Sequence, residues 1–209
     1  MARAARFAPR EVTRLDDGLW RWTTAHPEWQ PGGGWEQDVG SVYWEADDAV
    51  VLVDPLVPTE EAERTRFLDA LDRDVERLGG DVAVLVTCSW HRRSADELGE
   101  RYGGRILAPG DGPLPAGVTA VDAPTASEVV YWLAAAAAVV PGDVLLGTEG
   151  GVRLCPSSWL GRGRLSDLAA ELRPLLELPV ERVLTSHGPP VTSDGAAALA
   201  RALERYAPA

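Results

Sequence analysis

The sequence contains no lysine and no asparagine, and its 209 residues include only two cysteines. Cys88 and Cys155 are too few for the disulfide framework of a small secreted protein, and neither belongs to a Cys-x-x-Cys pair. The longest uninterrupted apolar run, residues 132–140, is far shorter than the roughly 20 residues that a membrane-spanning helix needs. We therefore expect a cytoplasmic protein that does not insert into a bilayer.

Positive charge is also scarce. The chain has 20 basic residues, all of them arginine, against 32 acidic ones, which gives a formal net charge of −12. Such a balance provides no positive field for nucleic acid or for an anionic membrane surface. Arg3, Arg6 and Arg10 are not followed by an apolar segment, so this stretch does not have the pattern of a secretory signal. The partner that we expect is a small molecule, with an anionic one favoured by the arginines discussed below.

The first half of the chain alternates apolar strand patterns with amphipathic helix patterns. Residues 41–45 and 49–53 predict a hairpin whose second strand is buried and ends at Asp54. Residues 59–78 predict a helix that begins at Thr59 as N-cap and ends at Gly79. The pattern then predicts a strand over 81–87, a helix over 94–102 capped by Ser94, and a strand over 105–108.

The second half has strand patterns first and helix patterns later. Strands are predicted over 118–122, 128–133, 143–147 and 180–186, and helices over 165–176 and 193–206. The alanine run 134–138 is compatible with a helix, but its position between two strand patterns favours a small-residue strand or a turn. Two successive sets of strands and helices suggest two stacked α/β halves in a single domain, 1–209. Within it, residues 1–37 form an N-terminal edge strand and loop, and 38–209 the main sandwich.

Residues 82–97 carry the most informative pattern, because a buried strand runs through Thr87 into a short polar turn and then a helix. The carboxyl ends of strands are where α/β folds place their sites. This layout resembles the metallo-β-lactamase superfamily, in which a strand ends in Thr-His and continues as His-x-His-x-Asp-His. The hairpin that ends at Asp54 and the segment with His187 before a glycine also resemble that family, and the similarity spans roughly residues 38–205. It implies an α/β fold of the αββα type, two stacked mixed β-sheets flanked by helices.

The same resemblance implies that the family's metal motif is largely replaced. With Thr87 on the family's threonine, Cys88 and Trp90 take the places of the first two histidines. Arg92 then stands for the aspartate and Arg93 for the last histidine. A guanidinium group stays protonated and cannot serve as a zinc ligand. A shift by two residues brings His91 near the middle of the motif but puts Arg93 and Ser94 in ligand positions.

Three further positions complete this comparison. Glu128 replaces the histidine of the third motif segment, Glu149 replaces the bridging aspartate, and His187 alone keeps its identity. We therefore expect a degenerate metal site and no resident metal. The alternative is a single zinc ion held by some of Cys88, Glu128, Glu149 and His187.

The function that we expect is that of a metal-independent enzyme or a small-anion-binding protein on this hydrolase-like fold. The alternatives are a mononuclear zinc-dependent hydrolase and a non-catalytic scaffold or binding protein, so the sequence leaves enzymatic activity open. The candidate catalytic residues are His91, His187 and Glu149. The candidate substrate-binding residues are Arg92, Arg93, Trp90, Glu128 and Trp35, and the loops 26–35 and 157–164 are expected to contribute contacts.

Structural roles compete with each of these assignments. His91 can be a capping or solvent-facing side chain, and His187 can hydrogen-bond Asp54 or Glu149. Arg92 and Arg93 can form ion pairs with Glu149, Glu128 or Asp96 in place of metal charge. Cys88 can be a small buried apolar side chain.

Overall fold

The structure, a computed structural model, describes residues 11–206. Its strands and helices, in chain order, are β1 Glu11–Asp16, β2 Leu19–Ala25, β3 Asp38–Glu45, β4 Ala49–Val53, α1 Glu61–Leu78, β5 Asp81–Leu85, α2 Ala95–Tyr102, β6 Arg105–Leu107, β7 Val118–Ala123, β8 Glu128–Leu133, β9 Ala138–Val140, β10 Leu145–Thr148, β11 Gly151–Leu154, α3 Leu165–Leu172, β12 Arg182–Val183 and α4 Gly195–Glu204. No helix among these is long and apolar enough to cross a membrane.

The first sheet has six strands in the order β1-β2-β3-β4-β5-β6. Strands β1 to β4 are antiparallel neighbours, whereas β4, β5 and β6 run parallel. The change of direction follows from the connections, because parallel neighbours need a crossover, and here α1 and α2 provide the two crossovers. The apolar runs in β4 and β5 are buried, as expected for strands that are covered on both faces.

The second sheet has four strands in the order β12-β9-β8-β7, and β10 and β11 form a separate hairpin. Strand β12 is parallel to β9, and the other pairs are antiparallel. The alanine run divides between two structures, since residues 134–137 form the turn after β8 and Ala138 begins β9. The prediction of a small-residue strand or turn is thus confirmed.

The two sheets pack face to face, and helices cover their outer faces. Side chains between the sheets include Val51 and Leu85 from the first and Tyr131 and Val140 from the second. The outer face of the first sheet packs against Leu68 and Leu71 of α1 and Leu98 of α2. The outer face of the second packs against α3 and α4, through side chains that include Leu168, Leu172, Leu199 and Leu203. This is the αββα sandwich predicted from the sequence.

Several boundaries differ from the prediction. Helix α1 is capped by Glu60 and not by Thr59, because the Glu60 carboxylate accepts hydrogen bonds from the backbone N–H groups of Ala62 and Glu63. The helix does end at Gly79, which has φ +63°. The N-terminal segment contains two strands, β1 and β2, where one edge strand was predicted, and its first ten residues lie outside the described range. Strand β10 starts at Leu145, which leaves Asp143 in the turn before it.

Candidate metal centre

His91, Asp143 and His187 meet at one edge of the sandwich, and we call these three residues the donor cluster. His91 ends the short 3₁₀ turn Ser89–His91 that follows β5, Asp143 follows β9, and His187 follows β12. Each residue therefore stands just beyond the carboxyl end of a strand, where α/β folds gather functional side chains. All three residues are buried.

One carboxylate oxygen lies between the two imidazole rings. Asp143 Oδ1 is 3.2 Å from His91 Nε2 and 3.4 Å from His187 Nε2. The three donor atoms of the cluster all lie within 4.8 Å of one another. Asp143 Oδ1 is inaccessible to solvent, yet it accepts no hydrogen bond of normal geometry within residues 11–206. A buried carboxylate oxygen that faces two imidazole nitrogens can be balanced by a shared metal ion or by a proton on one of the rings.

Other contacts fix the orientation of Asp143. Its backbone N–H donates to Glu128 Oε2 at 2.8 Å, and its Oδ2 accepts a hydrogen bond from Trp90 Nε1 at 3.1 Å. The preceding residue has to be glycine, because Gly142 has φ +59° and a Cβ there would lie 2.5 Å from Glu128 Oε2 and 2.7 Å from Thr87 Oγ1. These contacts turn Oδ1 toward the histidines.

A hydrogen bond to Asp54 fixes the orientation of the His91 ring. His91 Nδ1 lies 2.8 Å from Asp54 Oδ2, so the Nδ1–H form donates to this carboxylate and directs Nε2 toward Asp143. Asp54 in turn accepts hydrogen bonds from the Thr87 backbone N–H at 2.8 Å and from Thr87 Oγ1 at 2.6 Å. Asp54, which follows β4, therefore positions His91. The structural alternative for His187 was a hydrogen bond to Asp54 or Glu149, but His187 Nε2 approaches Asp143 instead.

The charges in this cluster shift several pKa values. Burial and Arg93 oppose protonation of His91, but Asp54 and Asp143 outweigh them and raise the pKa of His91 well above its ordinary value. Burial alone would raise the pKa of Asp143, yet the two histidines hold it far below the usual range. Burial, with help from the Asp143 charge, raises the pKa of Glu128 to about 8. Glu128 is therefore protonated at neutral pH.

Arg93 and Arg92 have different environments. Arg93 donates to the backbone oxygens of Gly40 and Asp54 at 3.0 and 2.9 Å and to Ser186 Oγ at 2.7 Å. Its guanidinium is thereby fixed beside the donor cluster as a permanent positive charge. Arg92 is exposed and pairs with Asp96 through two hydrogen bonds, which is one of the ion pairs expected from the sequence.

A cavity of about 280 Å³ opens above the donor cluster, and we call it the main cavity. Its wall includes Trp35, Trp90, Trp159 and Arg93 besides the cluster itself. The Trp35 and Trp159 rings meet the His187 ring edge-on, with centroids 5.6 and 6.1 Å away. Both loops that were expected to carry contacts, 26–35 and 157–164, supply side chains to this wall.

The structure brings together some of the residues proposed from the sequence and separates others. His91, His187, Trp35, Trp90 and Arg93 line the main cavity. Glu128 lines an adjoining cavity of about 220 Å³ that also touches Asp143. Glu149 is exposed in the turn between β10 and β11, so it is not part of the wall of either cavity.

The ligand candidates named from the sequence are mostly not those that converge. Of Cys88, Glu128, Glu149 and His187, only His187 belongs to the donor cluster. Cys88 is buried, and burial raises the pKa of its thiol to about 11, so it stays protonated at neutral pH. Asp143 was missed because Pro141-Gly142-Asp143 has the composition of a turn. The signal that could have found it is an acidic residue just beyond an apolar strand, the kind of position that Asp54 also occupies after β4.

Comparison with known proteins identifies the architecture. No protein-family model matches this sequence, and no curated protein matches it. Several solved structures, in contrast, match its fold. The DIM-1 metallo-β-lactamase, in a crystal exposed to ceftazidime, superposes with a TM-score of 0.62 at 11% identity, covering 97% of this chain and 100% of that one. A metallo-β-lactamase from Erythrobacter litoralis gives 0.59 at 14% identity, covering 97% and 92%.

The metallo-β-lactamase FIM-1 from Pseudomonas aeruginosa, in its mono-zinc form, gives a TM-score of 0.58 at 15% identity and covers 96% of this chain and 97% of that one. Identities this low establish the fold and leave the chemistry to the site itself. This chain has the metallo-β-lactamase fold.

Proposed function

We propose that this protein is a hydrolase that holds one divalent metal ion, with zinc the best candidate, at His91, Asp143 and His187. The observation that carries the proposal is the position of the buried Asp143 Oδ1, 3.2 Å from His91 Nε2 and 3.4 Å from His187 Nε2. Two ligands at zinc–ligand distances of about 2.0–2.1 Å and tetrahedral angles are about 3.3–3.4 Å apart. The two separations in this cluster therefore match the edges of a zinc tetrahedron.

The chemistry of the donors supports the same assignment. Two imidazoles and one carboxylate are zinc ligands of the kind found in catalytic sites, which use three protein ligands and leave one position open. Here that position would face the main cavity. The hydrogen bond from His91 Nδ1 to Asp54 is the second contact that metal-binding histidines usually make. FIM-1, which shares the fold, was solved in a mono-zinc form, so this fold can hold a single zinc ion.

The position of Arg93 argues for one ion and not two. Its guanidinium hydrogen-bonds Gly40, Asp54 and Ser186 beside the donor cluster, and a second cation there would be repelled by this fixed charge. The partial erosion that the sequence indicated thus corresponds, in this proposal, to the loss of one metal position with the other retained.

A bound ion would supply Lewis-acid polarisation of a carbonyl or phosphoryl oxygen at neutral pH. Residues of the chain would position the ligands, supply a proton and bind the substrate. Trp90 and Glu128 hold Asp143 in place, and Asp54 holds His91. In its protonated form, Glu128 can donate a proton to a leaving group in the adjoining cavity. Arg93 favours substrates with an anionic group, and the tryptophans of the wall favour an apolar or planar one.

A second candidate is the metal-independent small-anion-binding protein or enzyme that the sequence favoured. It is supported by the raised pKa of His91, because a protonated His91 between Asp54 and Asp143 neutralises the site without a metal. In that state His91 and Arg93 would present two positive groups to an anion in the main cavity. The metal content of the protein separates the two candidates.

The test is metal analysis by plasma mass spectrometry on protein purified without a metal-affinity tag and dialysed against zinc. Wild-type protein is compared with His187→Ala and with the control His26→Ala, which removes another imidazole from the main cavity but not from the donor cluster. We expect about one zinc ion per chain in the wild type and in the control, and a loss of most zinc from His187→Ala. Zinc far below this stoichiometry in the wild type would favour the metal-independent candidate, and about two ions would contradict the single-ion site.

The hydrolase part is tested separately, with chromogenic ester, thioester, lactam and phosphate-ester substrates before and after chelation. Hydrolysis of at least one class, lost on chelation and restored by zinc, is expected. Stoichiometric zinc without hydrolysis of any class would leave a metal-binding protein and refute the hydrolase assignment.

A further inference from the structure

A second cavity, of about 550 Å³, lies between the β10–β11 hairpin and helix α4, and we call it the arginine groove. None of the donor-cluster residues lines it. Both the hairpin and the helix contribute apolar side chains to its wall. These are Val152 and Leu154 on β11 and Ala198 and Ala202 on α4. A groove with such a wall offers a surface for an apolar group of a ligand.

Three arginines, Arg153, Arg201 and Arg205, also line this groove. Arg201 and Arg205 are four positions apart at the C-terminal end of α4 and therefore face the same side of the helix. Arg201 reaches across to the hairpin, since a Cβ built on Gly151 would lie 3.6 Å from Arg201 Nη2. Arg153 lies between the wall residues Val152 and Leu154 on β11, and its guanidinium donates a hydrogen bond to the backbone oxygen of Leu154 at 3.3 Å.

These arginines are not used in ion pairs. Within the part of the chain that the structure describes, no carboxylate lies within 4.0 Å of the guanidinium groups of Arg153, Arg201 or Arg205. Many other arginines of the described residues do have such a partner, among them Arg14, Arg64, Arg66, Arg77, Arg92, Arg101, Arg164 and Arg182. Arg201 and Arg205 thus place two guanidinium groups without an ion-pair partner beside this groove, a local positive field in a chain of net charge −12.

We propose that the arginine groove binds a small anion with an apolar body. The charged end, a carboxylate or phosphate, lies between Arg201 and Arg205, because guanidinium groups match the geometry of both anions. The apolar body lies on Val152, Leu154 and Ala202. Arg153 also lines a separate cavity, which reaches His187. This site does not depend on the proposed hydrolase function.

The test is a titration of the folded protein with hexyl phosphate and, separately, with octanoate, followed by backbone amide NMR. We expect saturable shifts of amides in Gly151–Leu154 and in residues 198–206 with at least one of the two probes, and weaker binding of inorganic phosphate by several-fold. Binding of either probe at these amides supports the site and identifies its head group. Failure of both to give saturable shifts there, or shifts confined to residues around His187, would overturn it.

A matched pair of double variants tests the role of the arginines. Arg201→Gln/Arg205→Gln should weaken binding of the probe at least tenfold. The control Arg162→Gln/Arg173→Gln removes the same charge from two exposed arginines that do not line the groove, and should leave the affinity unchanged. The amide spectra of both variants report whether they are folded. Equal weakening in the two variants would show a general charge effect and contradict the proposed site.

Discussion

His91 Nε2 lies 3.2 Å from Asp143 Oδ1, while Nδ1 of the same ring lies 2.8 Å from Asp54 Oδ2. One imidazole therefore connects two buried carboxylates, one that holds the ring and one that shares a donor cluster with it. In the absence of a metal, a proton on His91 balances these charges, which explains its raised pKa. With a metal, Nε2 becomes a ligand and Asp54 keeps the ring oriented.

The hydrogen bond from His91 to Asp54 should contribute to metal affinity. Asp54→Asn replaces the acceptor by an amide, and Asn tolerates the left-handed backbone at this position, where φ is +47°. We expect the zinc affinity to fall by about 10- to 100-fold. Competition with a chromophoric chelator measures it, with the exposed Asp122→Asn as control. Equal affinities of Asp54→Asn and the control would contradict this role of Asp54.

Arg93 should stabilise the fold through its fixed hydrogen bonds. Arg93→Lys keeps the charge but cannot reach Gly40 O, Asp54 O and Ser186 Oγ in the same geometry. We expect the free energy of unfolding to fall by about 2 kcal/mol, since buried groups lose charge-assisted hydrogen bonds. Urea denaturation measures this loss. The control Arg92→Lys affects only an exposed pair with Asp96 and should change little, so similar losses in the two variants would refute the assignment.

The fold beside the donor cluster should require glycine at position 142. Gly142→Ala places a Cβ 2.5 Å from Glu128 Oε2 in a backbone with φ +59°, and we expect a loss of at least about 2 kcal/mol in the free energy of unfolding. Gly150→Ala serves as control because nothing lies within 4 Å of its Cβ position, and it should stay within about 0.5 kcal/mol of the wild type. Denaturant unfolding compares them. A Gly142→Ala protein as stable as the control would show that the turn relaxes freely.

Glu128 should make stability depend on pH. Its folded pKa, about 8, lies above its ordinary value of 4.5. Below pH 4.5 Glu128 is protonated in both the folded and the unfolded forms, so its titration does not change the free energy of unfolding. As the pH rises from 4.5 to 8 only the unfolded form releases the proton, and the stability that this group contributes is lost at up to about 1.4 kcal/mol per pH unit.

The measurement is the free energy of unfolding against pH for chelator-treated wild type and Glu128→Gln. Gln keeps an oxygen that can accept from the Asp143 N–H but does not titrate. The difference between the two proteins should change steadily from pH 4.5 to 8. Parallel curves would contradict the raised pKa.

The fold was predictable because its signals are local. The apolar runs that became β4 and β5, the helical spacing of α1 and the glycine at its end each specify one element, and their order specifies the sandwich. The errors of boundary have local causes as well. Helix α1 begins at Glu61, so Glu60 and not Thr59 is its N-cap, and spacing alone does not reveal this shift of one residue.

The site was predictable only in part, because it depends on which turns converge. His91 and His187 were identified as candidates from their positions after strands, and both reach the donor cluster. Asp143 lies in a Pro-Gly-Asp sequence, which is typical of a surface turn and does not indicate a buried carboxylate. Glu149 also follows a strand and was predicted as a site residue for that reason, but it lies in the β10–β11 turn and is exposed to solvent. That Arg93 points inward while Arg92 points outward follows from the turn geometry, with Arg93 at φ +35°, and not from residue type.

The most direct test of the central claim is a crystal structure of zinc-soaked protein with anomalous data collected on both sides of the zinc absorption edge. We predict one zinc peak per chain, within about 2.3 Å of His91 Nε2, Asp143 Oδ1 and His187 Nε2. A map without a peak at these atoms, with His91 bonded directly to Asp143, or a zinc ion held by other residues, would contradict the account.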